Sequence, residues 1–201
     1  MASAMNRATA VLASLLLVVM PGCAQGEDAP DDGETPTASF VVASGSFGDG
    51  GAIPRRHTCD GEEVSPQLTI TGAPEGTESL ALTMKDHDVP TPQAPNRTIN
   101  HWVVWNVSVG GAVFPEGSVP IGASEGDNDF GHGYLGPCPP PLSPPHRYEF
   151  TVYALGIRPM VPDNATAPEL EAAMAGHFLA RTTLIGTYGR SVVPTSTPPM
   201  P

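Results

Sequence analysis

The run MKDHDVPTPQAPNRTINHWVVW, from Met84 to Trp105, sets two carboxylates, Asp86 and Asp88, on a proline-rich loop and follows them with a histidine, His101, at the head of an apolar strand. His101 to Val107 is dense in apolar and aromatic residues, the pattern of a central strand buried on both faces. Period two places His101, Val103 and Trp105 on one face. Asp86, Asp88 and His101 are therefore candidates for one cavity wall. A second run, GYLGPCPPPLSPPHRYEF from Gly133 to Phe150, supplies partners: Tyr134, a Gly-Pro-Cys-Pro-Pro turn, then His146 and Tyr148. Along a strand side chains alternate, so His146 and Tyr148 point one way and Arg147 the other.

The neighbouring segments are strands too. Arg147 to Leu155 carries Tyr148, Phe150, Val152 and Ala154 on one face, and Ser79 to Met84 carries Leu80, Leu82 and Met84. Gln67 to Thr71 alternates in the same way, and GAPEGT between the last two reads as a turn, so these two are expected to pair antiparallel. Ser39 to Ala43 starts the folded part as a strand, Val113-Phe114-Pro115 fits a short one, and Thr182 to Tyr188 closes the domain. A helix is expected over Ala167 to Arg181: Thr166 and Glu169 form a capping box, and Pro168 sits where a missing amide costs little. Its stripe of Leu170, Ala173, Met174, His177 and Phe178 is core packing. With 22 glycines, 24 prolines and 15% charged residues, the chain suits a turn-rich, mainly β fold: an antiparallel sandwich with one or two peripheral helices.

At 201 residues there is room for one domain and flexible ends. Residues 1–22 read as a signal peptide: Arg7, then the apolar run Ala8 to Met20. Met20-Pro21-Gly22-Cys23 is similar to a bacterial lipobox, which would lipidate Cys23 and anchor the protein to a membrane; cleavage by an ordinary signal peptidase, and secretion, is the alternative. Residues 23–39, with five acids and no base, form a solvated tether, residues 40–190 the domain, and residues 191–201 a disordered Pro-rich tail. With Cys23 lipidated, Cys59 and Cys138 remain as an even pair in an oxidising compartment and are expected to bridge; two separate buried thiols are the alternative. The net charge of −12 excludes duplex nucleic acid as a natural partner and leaves any anionic ligand to local donors.

Six blocks carry a family resemblance: IPRRHTCDGEEVSPQL, SLALTMKDHDVP, INHWVVWNV, GDNDFGHGYLGPCPP, PHRYEFTVYAL and GHFLARTTLIGTYGR, in order over roughly residues 40 to 190. The chain resembles the phosphatidylethanolamine-binding protein family, in its bacterial secreted, Raf-kinase-inhibitor-like branch. It departs from the family at His87, where proline is usual. The resemblance implies two sheets in a Greek-key-like arrangement with a small pocket at one end. It implies that Asp86, Asp88, His101, Gly136, Pro137, His146 and Tyr148 form that pocket, with Tyr134 as a further lining residue.

The chemistry of that set fits a small phosphorylated solute. Histidine N–H groups, a tyrosine hydroxyl and backbone amides near Gly136 can donate to phosphate oxygens. Two aspartates would repel the anion unless one charges a histidine or accepts from a ligand ammonium. A phosphoethanolamine-like head group, negative at one end and positive at the other, meets both halves. Taken singly, His101 also fits a hydrogen-bonded core histidine, and Asp86 and Asp88 fit loop caps. The expectation is a binding protein without a cofactor, a metal or catalysis. One alternative is an interaction module that inhibits an extracytoplasmic enzyme. Another is a His/Asp-dependent hydrolase, which lacks a nucleophile elbow, or a metal-binding protein, which lacks tight ligand spacing.

Overall fold

The computed structural model describes residues 39–89, 97–110 and 112–191. The expectations for the signal segment, the Cys23 anchor, nearly all of the acidic tether and the tail beyond residue 191 lie outside those residues.

Two sheets carry the architecture. The smaller has the order β1 (Val41–Ser44), β3 (Leu68–Thr71), β6 (Val113–Phe114). The larger runs β2 (Gly51–Ala52), β9 (Phe178–Tyr188), β8 (His146–Leu155), β4 (Ser79–Asp86), β5 (Ile99–Val107), β7 (Ser124–Glu125). All pairings are antiparallel except that of β2 with β9. Among the described residues one α-helix, α1 (Ala167–Met174), and a single 3-10 turn at Arg55–His57 complete the set.

Burial follows from the alternation. In β3, Leu68 and Ile70 are buried while Thr69 and Thr71 are exposed, so this sheet has one dry face. In β4 all of Ser79 to Met84 is buried, so its sheet is covered on both sides. Leu80, Leu82, Met84, Trp102, Val104, Phe150 and Val152 pack against Leu68, Ile70 and Phe114 of the small sheet. On the other side Ala81, Val103, Trp105 and Leu155 pack against Leu170 and Met174 of α1. The layers are thus small sheet, large sheet, helix.

Three expectations need correction. Gln67–Thr71 and Ser79–Met84 do not pair: β3 lies between β1 and β6, and β4 between β5 and β8. The GAPEGT turn carries the chain from one sheet to the other, and the two strands face each other across the shared core. Secondly, α1 stops at Met174, and β9 begins at Phe178, four residues earlier than the closing strand read from sequence. Gly176 adopts φ +80°, a left-handed conformation that ends helices, and the amide of His177 closes on the Met174 carbonyl. His177 and Phe178 are consequently exposed and play no part in the helix stripe. The capping box itself is present: the Thr166 amide donates to Glu169 Oε2 at 2.9 Å.

The third correction concerns β5. Its register against β4 jumps between Met84 and Lys85, which pair with Trp102 and Asn100, leaving His101 as an extra residue. It jumps again between Leu80 and Leu82, which pair with Val107 and Val104, near Asn106 at φ +58°. Each bulge resets the side-chain phase, because two residues then oppose one. Trp102, Val104 and Val107 therefore share the core facing the small sheet, while Val103 and Trp105 share the helix side. His101 does not follow Val103 and Trp105; the bulge brings it beside Tyr148.

Candidate functional site

The site lies at one end of the three central strands. Asp86 is the last residue of β4 and pairs with Tyr148 of β8 and Ile99 of β5. His146, two residues before Tyr148, points to the same side by alternation, and its Nδ1 lies 2.8 Å from Asp86 Oδ2. Asp86 Oδ1 accepts the backbone amide of Asp88 at 2.8 Å. Asp86 and His146 are both buried. A carboxylate oxygen only accepts, so the imidazole carries its hydrogen on Nδ1 and leaves Nε2 to the cavity side.

Asp88 has a different role. Its Oδ2 accepts the Arg147 backbone amide at 2.9 Å and Nε at 2.8 Å, and its Oδ1 accepts Nη2 at 2.6 Å. This two-pronged pair holds the Asp88 carboxyl well below the ordinary range, at about 2, against the opposing effect of partial burial. Its charge is already answered by Arg147. The outward turn of Arg147, read from strand alternation, is what places the guanidinium there.

His101 and Tyr148 form the opposite wall, with rings edge to face at 5.2 Å between centroids. His101 Nδ1 donates to the Leu135 carbonyl at 2.9 Å, and the Leu135 amide donates back to the His101 carbonyl at 2.8 Å. The second ring nitrogen of His101 and the Tyr148 hydroxyl are both buried without a hydrogen-bond partner. Burial lowers the His101 pKa, outweighing the Leu135 carbonyl and the Asp86 charge. Burial, and then the Asp86 charge, push the Tyr148 phenol upward.

The loop Tyr134–Pro140 closes the remaining side. A disulfide joins Cys59 to Cys138, with 5.4 Å between Cα atoms. Gly136 lies so close to the backbone of Thr58 that an added Cβ would come within 3.0 Å of it. The Gly136 amide donates to Glu63 Oε1 at 3.2 Å, so it is not free to hold a phosphate oxygen, contrary to the expectation for this loop. Two other expected members are absent from the cavity lining. The Tyr134 hydroxyl donates to the His57 carbonyl at 2.8 Å and its ring packs on Trp102, while Pro137 is buried in the turn.

Asp86, Asp88, His101, Gly136, His146 and Tyr148 do converge, on a cavity of about 630 Å³. Sequence reasoning missed its apolar surround, Val89, Ile99, Phe130, Leu135, Pro139 and Pro140, and the rim base Arg97. Phe130 and Arg97 lay in view, one in the GDNDFGHG block and the other the lone base of a neutral loop, but nothing local says that such residues face inward. Among the described residues no group of three or more His, Cys, Asp or Glu is placed to hold a metal ion.

Comparison with known proteins places this geometry. Residues 43–189 match the family described as phosphatidylethanolamine-binding protein. A UPF0098 protein of Aquifex aeolicus is 40% identical over 159 residues, 76% of this chain and 90% of that relative. LppC of Mycobacterium tuberculosis, described as a candidate lipoprotein, is 32% identical over 94% of this chain and 99% of its own length. Among solved structures, Escherichia coli YbcL superposes with a TM-score of 0.69 at 32% identity, over 76% of this chain and 99% of that one. CT736 of Chlamydia trachomatis gives a TM-score of 0.69 at 35% identity, over 76% and 98%.

Proposed function

Because this chain belongs to the phosphatidylethanolamine-binding protein family, we propose that it is an exported, lipid-anchored binding protein that holds a small anionic or zwitterionic phosphorylated head group and does not transform it. The observation that carries this reading is a pair of buried, unpartnered polar atoms, on His101 and Tyr148, in the walls of the cavity floored by Asp86 and His146. Leaving such an atom unmet costs about 1–3 kcal/mol, a cost that a bound solute would remove. Asp86 and His146 together can accept from an ammonium or, once the ring is protonated, donate to a phosphoryl oxygen. Asp88 stays with Arg147 and shapes the floor.

The lining favours binding without turnover: among the described residues it contains no serine or threonine, and its one cysteine, Cys138, is in the disulfide. The pattern around Cys23 and the similarity to LppC over nearly the whole chain support export and anchoring. The inhibitor reading has no specific contact surface to support it.

Titration calorimetry of the mature protein with O-phosphoethanolamine tests the pocket. Saturable binding is expected, with neither phosphate nor ethanolamine released. Tyr148→Phe should weaken it by about tenfold, the worth of one hydrogen bond to a charged group, while leaving the urea midpoint unchanged or raised. Equal affinity in Tyr148→Phe would remove the hydroxyl from the site, and no binding by the wild type would sink the assignment.

A further inference from the structure

Both imidazoles of the cavity are locked in the same tautomeric sense. His101 Nδ1 faces the Leu135 carbonyl at 2.9 Å, and His146 Nδ1 faces the Asp86 carboxylate at 2.8 Å. Carbonyl and carboxylate oxygens only accept, so each Nδ1 carries a hydrogen, and each neutral ring keeps its lone pair on Nε2. A fully ionised phosphoryl group consists of acceptors as well. Lone pair would then meet lone pair in a site where His101 Nε2 is buried with no alternative partner.

The surrounding charges offer no relief. Asp86 on β4 and Asp129 in the loop after β7 act on His101 as negative charges, and His146 on β8 would act as a positive one only when protonated. Tyr148, also on β8, contributes a neutral hydroxyl, and Asp88 is committed to Arg147. Arg97 is exposed at the rim. Among the described residues the floor thus holds no spare base for a doubly charged phosphate.

We propose that the pocket is specific for the hydrogen-bearing form of its ligand: a phosphoryl group binds together with one proton, held between His101 Nε2 and a ligand oxygen. This rests on the functional reading above. The proton comes from solvent and is released with the ligand. His146 Nδ1 faces a carboxylate that would balance a protonated ring, whereas His101 Nδ1 faces a neutral carbonyl, so His101 is the residue that imposes the requirement. The same burial that holds the empty ring neutral makes the unprotonated encounter unfavourable. The pocket therefore discriminates against phosphoryl dianions and favours singly ionised groups, whose remaining hydroxyl can donate to Nε2.

Calorimetry of the mature protein in detergent, with O-phosphoethanolamine at about pH 7.5, where a phosphate monoester is mostly doubly ionised, tests this. Repeating the titration in buffers of different ionisation enthalpy counts protons. The expected result is an uptake of about one proton per ligand and an affinity that falls about tenfold per pH unit above neutrality. In His101→Gln the side-chain amide donates without titrating, so binding should persist with the uptake lost. Heats that do not depend on buffer, with flat affinity across that range, would overturn the proposal while leaving the functional reading intact. Undiminished uptake in His101→Gln would overturn the role of His101. Absence of binding in every buffer would end both readings, and if the variant does not fold, the wild-type proton count decides.

Discussion

His146 and Asp86 are each other's principal partner in a buried setting, and removing one strands the other. His146→Ala should cost about 3 kcal/mol of stability or somewhat more, the usual consequence of leaving a charge buried alone, and chemical denaturation would measure it. The sequence reading had a carboxylate charging a histidine without saying which two would meet. Residue type and strand parity could not reveal the pairing, since it depends on β4 and β8 lying side by side. Asp88 behaves differently. Its carboxyl is held at about 2 by Arg147, below its ordinary value near 4, so the pair stabilises the fold above that ordinary value and the contribution fades as pH falls toward about 2. Asp88→Asn should lack that part of the acid limb. Urea midpoints taken between about pH 5 and 2.5 would read the difference, and parallel curves for variant and wild type would remove the pair from the stability account.

At the scale of elements, strands announced themselves where alternation was clean, as in β3, β4 and β8, because burial of one face is a local pattern. Partners were less visible. β3 and β4 looked like a hairpin, yet a short turn can equally cross between layers when both strands have one face to bury against the same core. The bulge at His101 was beyond reach, because it is defined by the register of a second strand. Helix α1 was legible at its capping box and overextended at its end, where an apolar run continued past Gly176 into β9. Packing also constrains β9 at Gly186. A Cβ there would come within 2.5 Å of Ile53 and 2.9 Å of Phe47. Gly186→Ala should therefore destabilise the protein by about 1–3 kcal/mol through overpacking, seen as a lower thermal midpoint. An unchanged midpoint would mean that the Ile53 side chain can withdraw freely.

On the scale of the whole molecule, the Cys59–Cys138 bond closes a sequence separation of 79 residues and fastens the cavity's outer wall to the 3-10 turn region. In the chain-entropy model a closure of that size stabilises the fold by about 4 kcal/mol. Reduction, or Cys59→Ser with Cys138→Ser, should lower stability by up to that amount and weaken O-phosphoethanolamine binding; a reduced protein with unchanged affinity would show the wall to be self-supporting. The pairing was open to cysteine arithmetic because only two remain once the lipobox cysteine is set aside. The identity of the pocket came from blocks scattered over the domain. Its hydrogen-bond economy, with Gly136 committed to Glu63 and Tyr134 turned to His57, belongs to tertiary structure alone.

Strand order has a bearing on how the protein comes into being. Among the described residues β9 is the last strand, yet it is inserted between β2 and β8, with Tyr188 opposite His146. Until β9 is in place, β8 has a bare flank. Competence to capture a solute thus waits on β9, and a chain cut short before Phe178 would offer an adhesive edge to its neighbours.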